Sequence, residues 1–108
     1  MLDFFFIMTS HIYIIYSASL NKYYIGYSSN PWNRIIQHNA NSTYKYTGRA
    51  KDWMIKSVFE VENESVAINI ERFIKKQKSR NLIERLCQED FVGENILAQL
   101  VRVPHVRD

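Results

Sequence analysis

Two runs of β-branched and aromatic residues separated by a short polar link leave a chain little choice but to pair them. His11–Tyr16 reads HIYIIY and Tyr23–Tyr27 reads YYIGY, with the turn-prone stretch Ser17 to Lys22 between them. Short strands joined in this way predict a β-hairpin. Gly26, inside the second run, marks a bulge or a place where another backbone or a ligand approaches closely. A third run, Trp53–Val61 (WMIKSVFEV), alternates imperfectly and still reads as a strand.

Helical signals fill the gaps. Asn30 is placed to cap a helix whose first residue, Pro31, loses nothing by lacking an N–H. Trp32, Ile35 and Ile36 supply its apolar face, and it ends among Asn39, Ala40 and Asn41. Ser42 to Asp52 is polar and reads as an exposed loop. Glu64 to Lys78 is the strongest helix, with Ala67, Ile70, Phe73 and Ile74 at helical spacing and Lys75, Lys76 and Lys78 at the end the macrodipole favours. Asn81 to Gln88 reads as a shorter helix, with Asn81 and Glu84 as its capping box. Beyond Phe91 the pattern fades, and Val101 to Asp108 reads as a short mixed tail, extended or loosely docked. The order β-β-α-β-α-α predicts an α/β domain of the α+β kind: a small, three-stranded, mainly antiparallel sheet flanked by helices. Trp32, Ile35, Ile70 and Ile74 are expected to be buried. Residues 1–9 read as a leader or strand extension, 10–90 as the domain and 91–108 as the tail.

Composition narrows the function classes. The 108 residues are 46% hydrophobic and 23% charged, ordinary values for a globular domain. The single cysteine, Cys87, excludes an internal disulfide and a cysteine-built zinc site. The apolar start, Met1 to Met8, carries Asp3, has no basic segment and is too short to span a bilayer, so Met8 is an alternative start. These features predict a soluble, cytoplasmic protein, a monomer or weak homodimer. A net charge of +3 permits a phosphate-bearing partner.

Several residues could carry chemistry, and each has a plainer explanation. All seven tyrosines fall between Tyr13 and Tyr46, where strand propensity accounts for some of them. Arg34 and His38 are four apart and share a helix face, as solvated pairs often do. Glu71 borders the apolar stripe of the strongest helix, where pairing with Lys75 is the ordinary outcome, and binding of a hard divalent cation the functional one. Arg72, Lys75, Lys76, Lys78, Arg80 and Arg85 hold six of the 14 cationic residues. They form a solvated surface or, with Arg49 and Lys51, a track for a nucleic-acid backbone.

The ordered set is more telling than its members. HIYIIYS followed by KYYIGYSSNPWNRIIQHN resembles the GIY-YIG nuclease family. There, a tyrosine on the first strand and that of Y-I-G on the second precede an arginine and a histidine on the first helix. Tyr13, Tyr24, Arg34 and His38 take those places, with separations of eleven, ten and four. Glu71, in SVAINIERFIKKQKSR, matches the family's metal-binding glutamate, and Asn81 an asparagine beyond that helix. The likeness runs from Ser10 to about Cys87 and is closest to small single-domain bacterial members, which share the pairing of Tyr46-Thr47 with a later tryptophan, here Trp53. The leading glycine of the first motif is replaced by His11.

The resemblance implies a metal-dependent endonuclease hydrolysing phosphodiester bonds in DNA, with RNA as a further substrate class and structure-specific repair as the setting. Tyr13 is then the base and Tyr24 orients water or phosphate, or the two exchange roles; Arg34 neutralises charge on the phosphate and His38 supports or relays proton transfer. Glu71 holds one Mg²⁺ or Mn²⁺, since two-metal sites need several bridging acids. Gly26, Tyr46 and Asn81 support the site, and Arg49, Lys51, Lys75, Lys76 and Arg80 bind nucleic acid. The alternatives are a non-catalytic nucleic-acid-binding module of the same fold and an adaptor with a vestigial site.

Overall fold

The computed structural model describes residues 9–40 and 44–104, so the leader at 1–8 and the last four residues of the tail lie outside the described residues. Strand β1 (Ser10–Ser17) and strand β2 (Lys22–Ser28) form the expected antiparallel hairpin, with Tyr13 opposite Gly26 and Tyr16 opposite Tyr23. Strand β3 (Trp53–Val61) pairs antiparallel with the other edge of β1. Between Ile14 and Ile15 the partner jumps from Ser57 to Ile55, which leaves Lys56 as the extra residue of a bulge. This accounts for the imperfect alternation of the third run.

The sheet has four strands rather than three, in the order β2-β1-β3-β4. The fourth, β4 (Val101–Arg102), comes from the tail expected to be extended or loosely docked; it is extended, and it pairs with Phe59 and Glu60. A charged residue anchors it. The Arg102 guanidinium donates to Ser57 Oγ at 2.6 Å and to the carbonyls of Leu86 and Gln88, and lies 4.8 Å from the centre of the Phe59 ring. Hydropathy patterning carries no signal for such an anchor.

β1 runs through the middle of the sheet, and its two faces belong to two different cores. Ile12 and Ile14 join Phe59, Ala67, Ile70, Ile74 and Leu86 on one side, under helix α2 (Glu64–Gln77) and helix α3 (Arg80–Leu86). Tyr13 and Ile15 join Trp53 and Val58 on the other, beneath helix α1 (Pro31–Ala40). Burial on both faces is why the first run is apolar throughout instead of alternating.

The Asn30 side chain caps α1 through the Asn33 N–H at 3.0 Å, and Asn63 caps α2 in the same way. The cap of α3 is Ser79, which accepts from the Leu82 N–H at 3.0 Å, so Asn81 lies inside the helix and not at its start. Lys78, in the left-handed conformation with φ 50°, ends α2 and turns the chain into α3. Two burial expectations also change. Trp32 is 41% exposed and Ile35 is half-buried, whereas Ile70 and Ile74 are buried as expected. α1 turns Pro31 and His38 inward, and the row Trp32–Ile36 outward. Two rows one residue apart fit the same 3.6-residue period, and the polar partners of His38 decide between them. The polar loop before β3 is not wholly exposed either. Thr47 and Ala50 are buried, and Thr47–Arg49 form a 3-10 turn. Among the described residues no helix is long and apolar enough to cross a membrane.

Candidate active site

The site grows from the central strand. Tyr13 is 1% exposed, and its ring lies across the backbone of Gly26 on the neighbouring strand. A Cβ at Gly26 would stand 2.5 Å from the Tyr13 hydroxyl oxygen and 2.7 Å from Cζ. No side chain fits there, which is the close approach that a glycine inside a strand signals. From α1, His38, 4% exposed, places Nε2 2.9 Å from the Tyr13 hydroxyl. Its Nδ1 lies 2.6 Å from Thr47 Oγ1. Thr47 is itself fastened, because Trp53 Nε1 donates to its carbonyl at 2.8 Å. The Asn39 side chain bonds the Trp53 backbone in both directions, tying α1 to the start of β3.

The electrostatics set the charge state of this chain. Burial, reinforced by the Arg34 charge, pushes His38 down to about 4, so the imidazole is neutral near pH 7. Burial, then Tyr24 and Glu71, raise the Tyr13 hydroxyl above its ordinary value, while Arg34 pulls the other way. A phenol that keeps its proton and a neutral ring allow a relay from the Tyr13 hydroxyl to Nε2 and from Nδ1–H to Thr47 Oγ1, and equally its reverse, with Thr47 donating to Nδ1. Tyr13, His38 and Thr47 form a continuous, buried hydrogen-bonded chain.

Around this chain the rings make a wall. Tyr24 stands 6.5 Å from Tyr13, 5.3 Å from His38 and 5.7 Å from Tyr46, centre to centre, and Tyr44 meets His38 edge-on at 5.2 Å. A cleft of about 430 Å³ opens in front of Tyr13 and Tyr24, lined also by Gly26, Arg34, Glu64 and Glu71. A smaller one of about 300 Å³ shares Tyr24 and Arg34 and is lined by His38, Tyr44, Tyr46 and Thr47. Arg34 therefore faces both.

Glu71 reaches the larger cleft from α2. Lys75 Nζ lies 3.2 Å from its Oε2 and 5.2 Å from the centre of the Tyr24 ring. Two carboxylates, Glu64 and Glu71, thus line the cleft, and among the described residues no group of three or more His, Cys, Asp or Glu is placed to hold a metal ion. Carboxylate oxygens suit a hard cation. A Mg²⁺ or Mn²⁺ ion held mainly by water and substrate oxygens fits such a sparse set, because magnesium keeps much of its hydration shell.

Seven of the expected residues, Tyr13, Tyr24, Gly26, Arg34, His38, Tyr46 and Glu71, line one or other cleft. Arg49, Lys51, Lys76 and Asn81 are exposed and line neither. Arg80 is engaged in structure. It donates to the Asn21 carbonyl and Oδ1 at 2.9 Å each and to Glu84 at 3.1 Å, tying α3 to the hairpin turn. Residues lining the two clefts that the sequence does not single out for the site include Thr47, Tyr44 and Glu64. Thr47 stood in plain view in the pair Tyr46-Thr47, but nothing in its neighbours marks it as the partner of a histidine nine positions earlier.

No curated protein and no solved structure matches the chain. A family model described as the GIY-YIG catalytic domain matches residues 9–84, a span that holds every residue lining the two clefts, and the chain belongs to the GIY-YIG family.

Proposed function

We propose that the protein is a metal-dependent endonuclease that hydrolyses phosphodiester bonds in DNA. The observation that carries this is the chain from Tyr13 through His38 to Thr47 at the edge of a cleft that also holds Arg34 and Glu71. Hydrolysis requires a water to lose a proton while negative charge builds on the phosphate. A buried tyrosine with a raised pKa cannot wait as a free phenolate. It can accept a proton from water while its own passes to His38 Nε2, 2.9 Å away. His38, uncharged near neutral pH, has that position open. Thr47 holds the ring in the tautomer that exposes Nε2 to Tyr13.

Tyr24 orients the water or the phosphate from the same wall, and Arg34 faces the non-bridging oxygens. Glu71, which lines the cleft together with Glu64, would hold one Mg²⁺ or Mn²⁺, and that ion would supply charge neutralisation at the scissile phosphate and the departing 3′ oxygen. Lys75 pairs with the Glu71 carboxylate at 3.2 Å and orients it.

The test is cleavage of labelled duplex, forked, flapped and single-stranded DNA in Mg²⁺, Mn²⁺ or EDTA. Metal-dependent nicking that is abolished by EDTA is expected. Binding without cleavage of any substrate in either metal would overturn the assignment and identify a binding module of the same fold.

A further inference from the structure

A second concave surface lies directly beside the catalytic cleft, where β2 meets the junction of α2 and α3. It is a groove of about 450 Å³, a size typical of ligand sites, and it shares Tyr24 with both clefts. Its floor is apolar, from Ile25 and Ile74. Tyr23, Tyr24 and Tyr46 line the groove; Arg80 lies 5.0 Å over the Tyr23 ring and Lys75 5.2 Å over that of Tyr24, and the open aromatic face is Tyr46, 37% exposed with its ring tilted only 32° from that of Tyr24. Lys22, Lys75, Lys78 and Arg80 stand at its rim, and none of the lining residues is acidic. Lys75 and Arg80 are each matched by a carboxylate, Glu71 and Glu84. Lys22 and Lys78 form no ion pair with any described residue and are exposed.

Aromatic faces with unmatched cations around them have one natural occupant: bases to stack, and phosphates to neutralise. Stacking requires an unpaired base, because in a duplex both faces are already covered. We infer that this groove holds an unpaired strand of nucleic acid immediately beside the scissile phosphate, so that the preferred substrate is single-stranded or carries a single-stranded branch at the cut. This rests on the nuclease assignment above and narrows its substrate. Lys75, at the groove rim and on Glu71, joins the two surfaces.

The test separates the two claims by measuring binding without metal. Fluorescence anisotropy in EDTA compares a labelled oligothymidylate with a blunt duplex across a salt series, for the wild-type protein, Lys22→Gln/Lys78→Asn, Tyr46→Leu and Tyr46→Phe. Both lysines are exposed, and asparagine tolerates the left-handed backbone at position 78. For the single strand, the double variant should flatten the slope of log affinity against log salt by about 1.4, the loss of two phosphate contacts at about 0.7 each. Tyr46→Leu should weaken single-strand binding about fivefold or more, the low end for one stacked base, while Tyr46→Phe retains it. Duplex binding should change much less. An unchanged slope and affinity for the single strand would overturn the groove, as would an equal loss on the duplex. A wild-type protein that cleaves nothing in Mg²⁺ or Mn²⁺, yet shows these binding losses, supports the groove and overturns the nuclease assignment alone.

Discussion

Replacing Gly26 by alanine exchanges one hydrogen for a methyl group at the most crowded point of the site. The Cβ would stand 2.5 Å from the Tyr13 hydroxyl, against about 3.4 Å for an ordinary contact, so the phenol must retreat by about 1 Å. It has nowhere easy to go, since Tyr13 is 1% exposed on the middle strand. The backbone at Gly26 is not in the left-handed region, so alanine incurs no backbone strain, and the cost comes from the ring alone. Overpacking of this kind costs about 1–3 kcal/mol, and loss of the bond to His38 adds about 1 kcal/mol. A destabilisation of about 2 kcal/mol or more lowers Tm by roughly 10 °C in a domain of this size. Cleavage should fall by about 100-fold, the usual consequence of moving a reacting group by 1 Å. Urea denaturation and single-turnover cleavage measure the two effects. The worst clash is with the hydroxyl oxygen, so Gly26→Ala should cost less stability in a Tyr13→Phe background than in the wild type. A Gly26→Ala protein as stable and as active as the wild type would refute this account of why the strand carries a glycine.

His38 predicts a pH dependence. Its folded value of about 4 lies below its ordinary 6.5, so the unfolded chain binds the proton first, and stability present above pH 6.5 is lost as pH falls toward 4. Chemical denaturation at pH 5 and 7.5 should show this difference, and His38→Gln should shrink it. Thr47→Val leaves the buried His38 Nδ1 without its hydrogen-bond partner, and should cost about 1–3 kcal/mol in denaturation while slowing cleavage. Arg34→Ala should cut turnover about 100-fold or more in a cleavage assay, as removal of a transition-state charge partner does. Glu71→Ala should abolish metal-dependent cleavage while DNA binding in EDTA, read by anisotropy, stays near the wild-type value.

The parts of the fold that were legible are those that local chemistry controls. The hairpin, the start of α1, β3 and α2 appear close to their expected bounds, because β-branched runs, the Asn30 cap with Pro31, and a clean apolar stripe are signals carried within a few residues. What escaped depends on partners far away in the chain. β4 is held by Arg102 reaching Ser57 and Leu86. The inward face of α1 is chosen by His38 finding Tyr13 and Thr47, and not by its apolar residues. In the site, Tyr13, Tyr24, Arg34, His38 and Glu71 were legible as an ordered set of residue types. That Tyr13 lies across a glycine, and that a buried threonine completes the chain, is information held in the packing.

The placement of Tyr13 on the middle strand also has a consequence for timescales. β1 is hydrogen-bonded on both edges and buried on both faces, so its amides should exchange with solvent only when the whole domain opens. His38 and Thr47 come from a peripheral helix and a 3-10 turn, which should open in smaller, more frequent excursions. The proton path therefore spans the slowest- and faster-exchanging parts of one domain. In mild urea, activity should disappear before the β1 amides lose their protection, the outer half of the path lifting away from a tyrosine that has not moved.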